Sequence, residues 1–183
     1  MLGQAVLEAA LVALGVALAL GAEEWRQSRQ QQRQAATAAS AISEELRSNR
    51  AAVVQASSYH SALLDSLHTR GARTESPGPA FFRRGFVAPA PVAAAAWQTA
   101  SETGALEHLP HALVLKLSRA YGSQTRYERQ ADAVGSLIYG ELYRGGAESI
   151  AANHRNLGHL IGTFVYRERQ LITLYDSTLV AMP

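Results

Sequence analysis

The side chains through which this chain could do chemistry are six histidines and fifteen carboxylates. Cysteine is absent, which closes off thiolate catalysis, disulfides and cysteine-held metals or clusters. Metal binding is the first chemistry to consider for histidines. His108 and His111 stand three apart, but Pro110 lies between them. His154 and His159 stand five apart, a poor spacing for two ligands on one helix face. No His-Glu-x-x-His or Glu-x-x-His pair occurs, and a di-iron bundle would need several inward carboxylates where Glu168 is the main core-facing candidate. No metal or cofactor is therefore expected, and buried, hydrogen-bonded histidines are. There is no Gly-x-Ser-x-Gly elbow and no phosphate-cradling glycine loop. The neighbours Arg167, Glu168 and Arg169, and the group Arg126, Glu128, Arg129 and Asp132, have the spacing of helix-surface ion pairs. No catalytic constellation emerges, and a non-enzymatic role is expected.

What remains for ligand chemistry is a set of aromatic and imidazole side chains. His60, Trp97, Tyr121 and His154 could line a pocket if helices bring them together. Tyr127, Tyr139, Tyr143, Tyr166 and Tyr175 add further rings, expected as core bodies with wet hydroxyls.

Those residues need elements to position them. Alanine is abundant, which favours helix. From Glu23 to Arg70 nothing breaks a helix. Its first part, Arg26 to Gln34, is polar all round and reads as a solvated stalk. A seam begins at Ile42: Leu46, Val53, His60 and Leu67 lie seven apart, and Ile42, Asn49, Ala56 and Leu63 fill the alternate positions. Residues 71–91, rich in proline and glycine, form a long connection. Within it Phe81, Phe82, Arg83, Arg84 and Phe86 are candidates for touching a membrane or a partner. The run from Val92 to Glu102 predicts a short helix carrying Trp97. Leu113, Leu117, Tyr121, Val134, Ile138 and Leu142 mark one face of a helix through Arg144, and Gly145-Gly146 predicts a tight turn. The last helix carries Ile150, His154, Leu157, Ile161, Phe164, Val165, Glu168, Ile172, Tyr175 and Leu179 at helical spacing. No strand signal longer than a few residues is present.

The N-terminal segment is of another kind. Glu8 is the one ionisable side chain between Met1 and Ala22, and the run from Ala9 to Ala22 is wholly apolar. About 21 residues at 1.5 Å each span roughly 30 Å, the depth of a bilayer core. Trp25 follows where an interfacial aromatic belongs. A cleaved signal peptide would need a basic start, which Met1 to Glu8 lacks. A buried helix of a soluble fold would normally be shorter. The segment is read as a transmembrane helix. Ala13, Ala17 and Gly21, with Gly15 and Ala19 beside them, have the small-residue spacing that lets helices approach in lipid. Glu8 is a candidate contact in the membrane or with headgroups. The formal net charge is +2, an arginine excess too small for a nucleic-acid-binding surface.

Glu8, the apolar run and its ending Ala19-Leu20-Gly21-Ala22-Glu23-Glu24-Trp25 resemble an uncharacterised group of bacterial single-pass membrane proteins. The segment Ala96-Trp97-Gln98-Thr99-Ala100, then Gly104-Ala105-Leu106, is also similar to a stretch in them. The likeness covers about a fifth of the chain and implies no activity. Those proteins often carry basic residues before the span, and this chain has none there. Arginines only after the span place the body in the cytoplasm by the positive-inside rule. The resemblance implies the other side, and the periplasmic face of the bacterial inner membrane is the expectation taken.

The expected protein is thus all-α: a transmembrane helix (1–22) continuing into a polar helical stalk (23–41), then an antiparallel helical bundle (42–183) with a long loop at 71–91. Its expected partners are membrane lipid and either further copies of itself or a larger membrane complex, acting as scaffold or accessory subunit. The alternative is a membrane-tethered sensor or small-ligand-binding bundle.

Overall fold

The computed structural model describes residues 2–72, 85 and 87–183, and the side chains of these except 2–10, 12, 13, 70–72, 142, 143, 147, 150, 151 and 154. The described chain is helical, with no strand among the described residues. Helix α1 spans Leu2–Ala72, α2 Ala95–Glu102, a 3₁₀ turn Ala105–His108, α3 His111–Ala152 and α4 His154–Leu179.

The 71 residues of α1 make a rod about 105 Å long. Its packed side reads Ala35, Ala39, Ile42, Leu46, Asn49, Val53, Ala56, His60, Leu63 and Leu67, all buried. The spacing alternates four and three without a miss, the seam of a helix packed along its length. Burial therefore starts at Ala35, two turns before the expected boundary at residue 42. The first two positions of the seam are alanines, which in an alanine-rich helix carry no contrast.

Helix α4 packs against both α1 and α3. Both contacts are antiparallel: Arg50 meets Asp176 and His60 meets Glu168 on one side, and Gln130 meets Thr163 on the other. Leu117, Tyr127, Ile161, Phe164, Leu171 and Tyr175 fill the centre and are essentially inaccessible. The α3 backbone breaks at Gly146 (φ 68°, ψ −174°), a conformation open to glycine alone. A Cβ on neighbouring Gly145 would lie 2.5 Å from the Ser149 Cβ. Both glycines of the expected turn are thus required, but helical structure resumes after them, and α4 starts at His154. The short helix begins at Ala95 instead of Val92.

The segment from Val87 to Ala94 is neither helix nor strand and lies between α1 and α3. Pro89 and Pro91 hold it out of helix and each lacks a donor. The chain must fill this space because α1 and α3 run the same way, and the connection between them has to return along the bundle.

The start of α1 stands apart. Leu11, Leu14, Val16, Leu18 and Leu20 are 54–67% exposed, as is Trp25 at 63%. Among the described residues no helix is long and apolar enough to cross a membrane. The side chains of residues 1–10, 12 and 13, including those of Glu8 and Ala13, belong to the expected span but lie outside those described.

Candidate functional site

The sequence-level ligand candidates fall into two clusters. His60 is wholly buried on α1, facing α4. Its Nε2 lies 3.0 Å from the Ala88 backbone N–H. An N–H donor needs a lone pair, so Nε2 is the unprotonated nitrogen and Nδ1 carries the hydrogen. Nδ1 donates to Glu168 Oε1 at 2.8 Å. That same oxygen accepts from the Tyr127 hydroxyl at 3.2 Å, which in turn accepts from the Ala90 N–H at 2.7 Å. Phe164 packs on the His60 ring at 5.5 Å and meets Tyr127 edge-on at 6.0 Å. Glu168 therefore turns inward, away from the arginines on either side of it in sequence, and the expected surface ion pair is not what it makes. Its Oε2 is buried with no hydrogen-bond partner.

A second layer lies toward the other end of the segment. Asn49 Nδ2 donates to the Ala93 carbonyl at 2.7 Å, and Asn49 Oδ1 accepts the Ala93 N–H at 2.9 Å. Gln124 Nε2 donates to the same carbonyl at 3.0 Å. Gln124 Oε1 accepts from Asn49 and, at 2.7 Å, from the Tyr175 hydroxyl. One turn further, Glu45 accepts the Ala96 N–H in the first turn of α2 at 2.9 Å and the Tyr121 hydroxyl at 2.7 Å. Ala94, at the N-cap of α2, has no side-chain cap of its own, and a carboxylate from α1 supplies one. Trp97 stacks on Tyr121 with ring centroids 5.2 Å apart.

Trp97 and Tyr121 thus come together, while His60 belongs to the Glu168 cluster. The side chain of His154 lies outside those described, as do Phe81, Phe82, Arg83, Arg84 and Phe86. Gly15, Ala17, Ala19, Gly21 and Trp25 are exposed on α1, with the Arg29 guanidinium 5.1 Å above the Trp25 ring. The site that the fold builds is a clasp: side chains of α1 and α3 grip the backbone of residues 88–96, and Glu168 and Tyr175 of α4 brace those side chains from behind.

The clasp has a definite chemistry. A general base must offer a free nitrogen or oxygen to substrate, and both ring nitrogens of His60 are engaged within the core. Among the described residues no group of three histidine or acidic side chains could hold a metal ion. The tyrosine hydroxyls at Tyr121, Tyr127 and Tyr175 are not wet, as expected from sequence, but bonded to buried groups. Burial pushes all three above the ordinary tyrosine range. Glu45 adds to this at Tyr121, the Glu128 charge at Tyr175, and the Glu168 charge at Tyr127, against a lowering pull there from Ala90. Below about pH 10, the usual value, folded and unfolded chains both keep these protons. Above it the unfolded chain releases them first, so stability is lost as pH rises. Thermal melts between pH 8 and 12 should show this fall, and Tyr175→Phe should lessen its steepness.

Sequence reasoning missed Glu45 and Gln124, which read as surface residues on amphipathic helices. The available signal was the alternation Ala88-Pro89-Ala90-Pro91, which leaves isolated N–H groups, together with polar residues on otherwise apolar seams.

Comparison of the chain with family models, with curated proteins and with solved structures gave no match.

Proposed function

We propose that the protein is a non-enzymatic, membrane-anchored helical scaffold or accessory subunit that assembles with itself or with a larger membrane complex. One observation carries this reading. Leu11, Leu14, Val16, Leu18 and Leu20 are exposed, and at 100° per residue they face both sides of the helix. A helix apolar all round needs lipid or a protein interior around it. Residues 1–22 are the anchor in this reading, in the bacterial inner membrane with the body on the periplasmic side. Trp25, with Arg29 over its ring, sits at the interface.

Assembly is supported by register. Leu11, Leu14, Leu18, Gly21 and Trp25 continue the four-three spacing of the packed seam toward the N-terminus. A second helix could pack there without a shift of phase. Ala17 and Gly21 are small enough to let it approach. The chain has no cysteine, so a single Ser28→Cys variant gives a clean cross-linking probe in native membranes. The expected product is a disulfide dimer, or a defined adduct when a short bifunctional reagent is used. Monomer alone under both conditions would remove the assembly reading.

A second reading, a membrane-tethered ligand-binding bundle, is favoured by one feature, an open groove between α1 and α4 at the end far from the anchor.

A further inference from the structure

The groove lies where the end of α1 meets the start of α4 and encloses about 750 Å³, within the ~300–1,000 Å³ of ordinary ligand sites. Its floor is apolar, made by Leu64 and Leu67. On the α4 side Gly158 and Gly162 also line it, four residues apart on one helix face. An added Cβ at Gly158 would meet nothing within 4 Å, and one at Gly162 only the Leu64 side chain at 3.9 Å. The trough exists because these two positions have no side chain.

The fixed charge of the lining is of one sign, that of Arg155 and Arg167. His68, Arg155, His159 and Arg167 border the groove, and no carboxylate lines it. None of the four has an ion-pair partner among the described residues. An apolar trough with unpaired guanidinium groups beside it is complementary to an anionic head on an apolar tail, and guanidinium groups match carboxylate or phosphate in two-point contact.

We infer that this groove binds an amphipathic anion, a carboxylate or phosphate monoester on an aliphatic chain, with the head at Arg155 and His159, one turn apart on α4, and the chain along the Gly158–Gly162 trough, away from Arg155. The 42 residues between Ala22 and Leu64 put the groove about 60 Å along α1 from the end of the proposed anchor. A lipid held in the anchoring bilayer does not reach that far, so the ligand is a free amphiphile from the aqueous phase. The groove is built by α1 and α4 alone; only the choice of a free amphiphile over a bilayer lipid rests on the proposed anchor.

The test uses the full chain in amphipol, with an empty-amphipol blank, and calorimetric titration of dodecanoate, dodecyl phosphate, dodecanol and inorganic phosphate. Either dodecyl anion should bind one per chain, at least tenfold more tightly than dodecanol or phosphate. Gly158→Leu adds a Cβ that meets nothing within 4 Å and carries the rest of its side chain into the trough, and leucine is the better helix former. It should keep the wild-type melting temperature or raise it, and weaken dodecanoate binding at least tenfold. Arg155→Gln should do the same to both anions while leaving dodecanol unchanged, and Arg167→Gln, about 18 Å further along α4, should leave all of them unchanged. Equal binding of dodecanol and dodecanoate, equal binding of phosphate alone, or undiminished uptake by a folded Gly158→Leu protein would each overturn the inference.

Discussion

Replacing His60 with alanine is expected to lower the stability of the bundle by about 3–5 kcal/mol. Three losses coincide. The Ala88 N–H, beside a side chain that is 0% exposed, loses its acceptor. Glu168 Oε1 loses the shorter of its two donors while Oε2 already has none. The space of an imidazole packed on Phe164 is left empty. A buried polar group left unmatched costs about 1–3 kcal/mol, and the cavity adds to that. Glu168→Gln keeps an oxygen for His60 and Tyr127, so it should cost far less than His60→Ala. Urea unfolding of the variants gives the free energies, and hydrogen exchange gives the location: the Ala88 and Ala90 amides should lose protection ahead of the helices. A loss under about 1 kcal/mol with Ala88 still protected would mean that the His60 contacts are incidental.

Asn49→Leu is the second large effect, about 3 kcal/mol. Leucine has the same heavy-atom branching and suits a helix seam, so burial of apolar surface alone would forecast a gain. The polar account forecasts the opposite, because Asn49 is the sole side chain bonded to both the N–H and the carbonyl of Ala93 among the described residues. Removing it leaves the Ala93 N–H without its acceptor and takes one donor from Gln124 Oε1, at a site where Asn49 is 3% and Gln124 1% exposed. The substitution should also loosen the start of α2, whose Trp97 stacks on Tyr121. Trp97 fluorescence shifting to the red before global unfolding is the signature. A stabilised Asn49→Leu protein would show that the clasp contributes nothing net.

These two residues also show what was legible in the chain. The seam from Ile42 to Leu67 could be read because large apolar residues recur at four-three spacing, and His60 and Asn49 stood out as polar intruders on it. That they reach partner groups followed from burial physics. Which groups they reach did not, because their partners are backbone atoms of a segment with no periodic pattern. Residues 88–94 carry little side-chain information beyond alternating proline. Their place is decided by donors and acceptors on two separate helices, α1 and α3. Glu168 read two ways, inward from the phase of α4 and outward from its arginine neighbours, and only the first holds; Glu45 and Gln124 were not legible, since long polar side chains on a helix normally go to water. The turn at Gly145-Gly146 was legible from composition, and the resumption of helix beyond it was not. The groove left a trace in Arg155, Gly158, His159 and Gly162, but its floor comes from residues 64 and 67, some ninety positions earlier.

In the proposed role, α1 carries from an N-terminal anchor a bundle whose long connection the clasp fastens down. The most direct test is alkaline carbonate extraction of membranes from cells making the full chain or a chain starting at Glu23. The full chain should stay with the lipid pellet and the shortened one, still folded by circular dichroism, should be released. Release of the full chain into the supernatant would contradict the anchor and with it the proposed role.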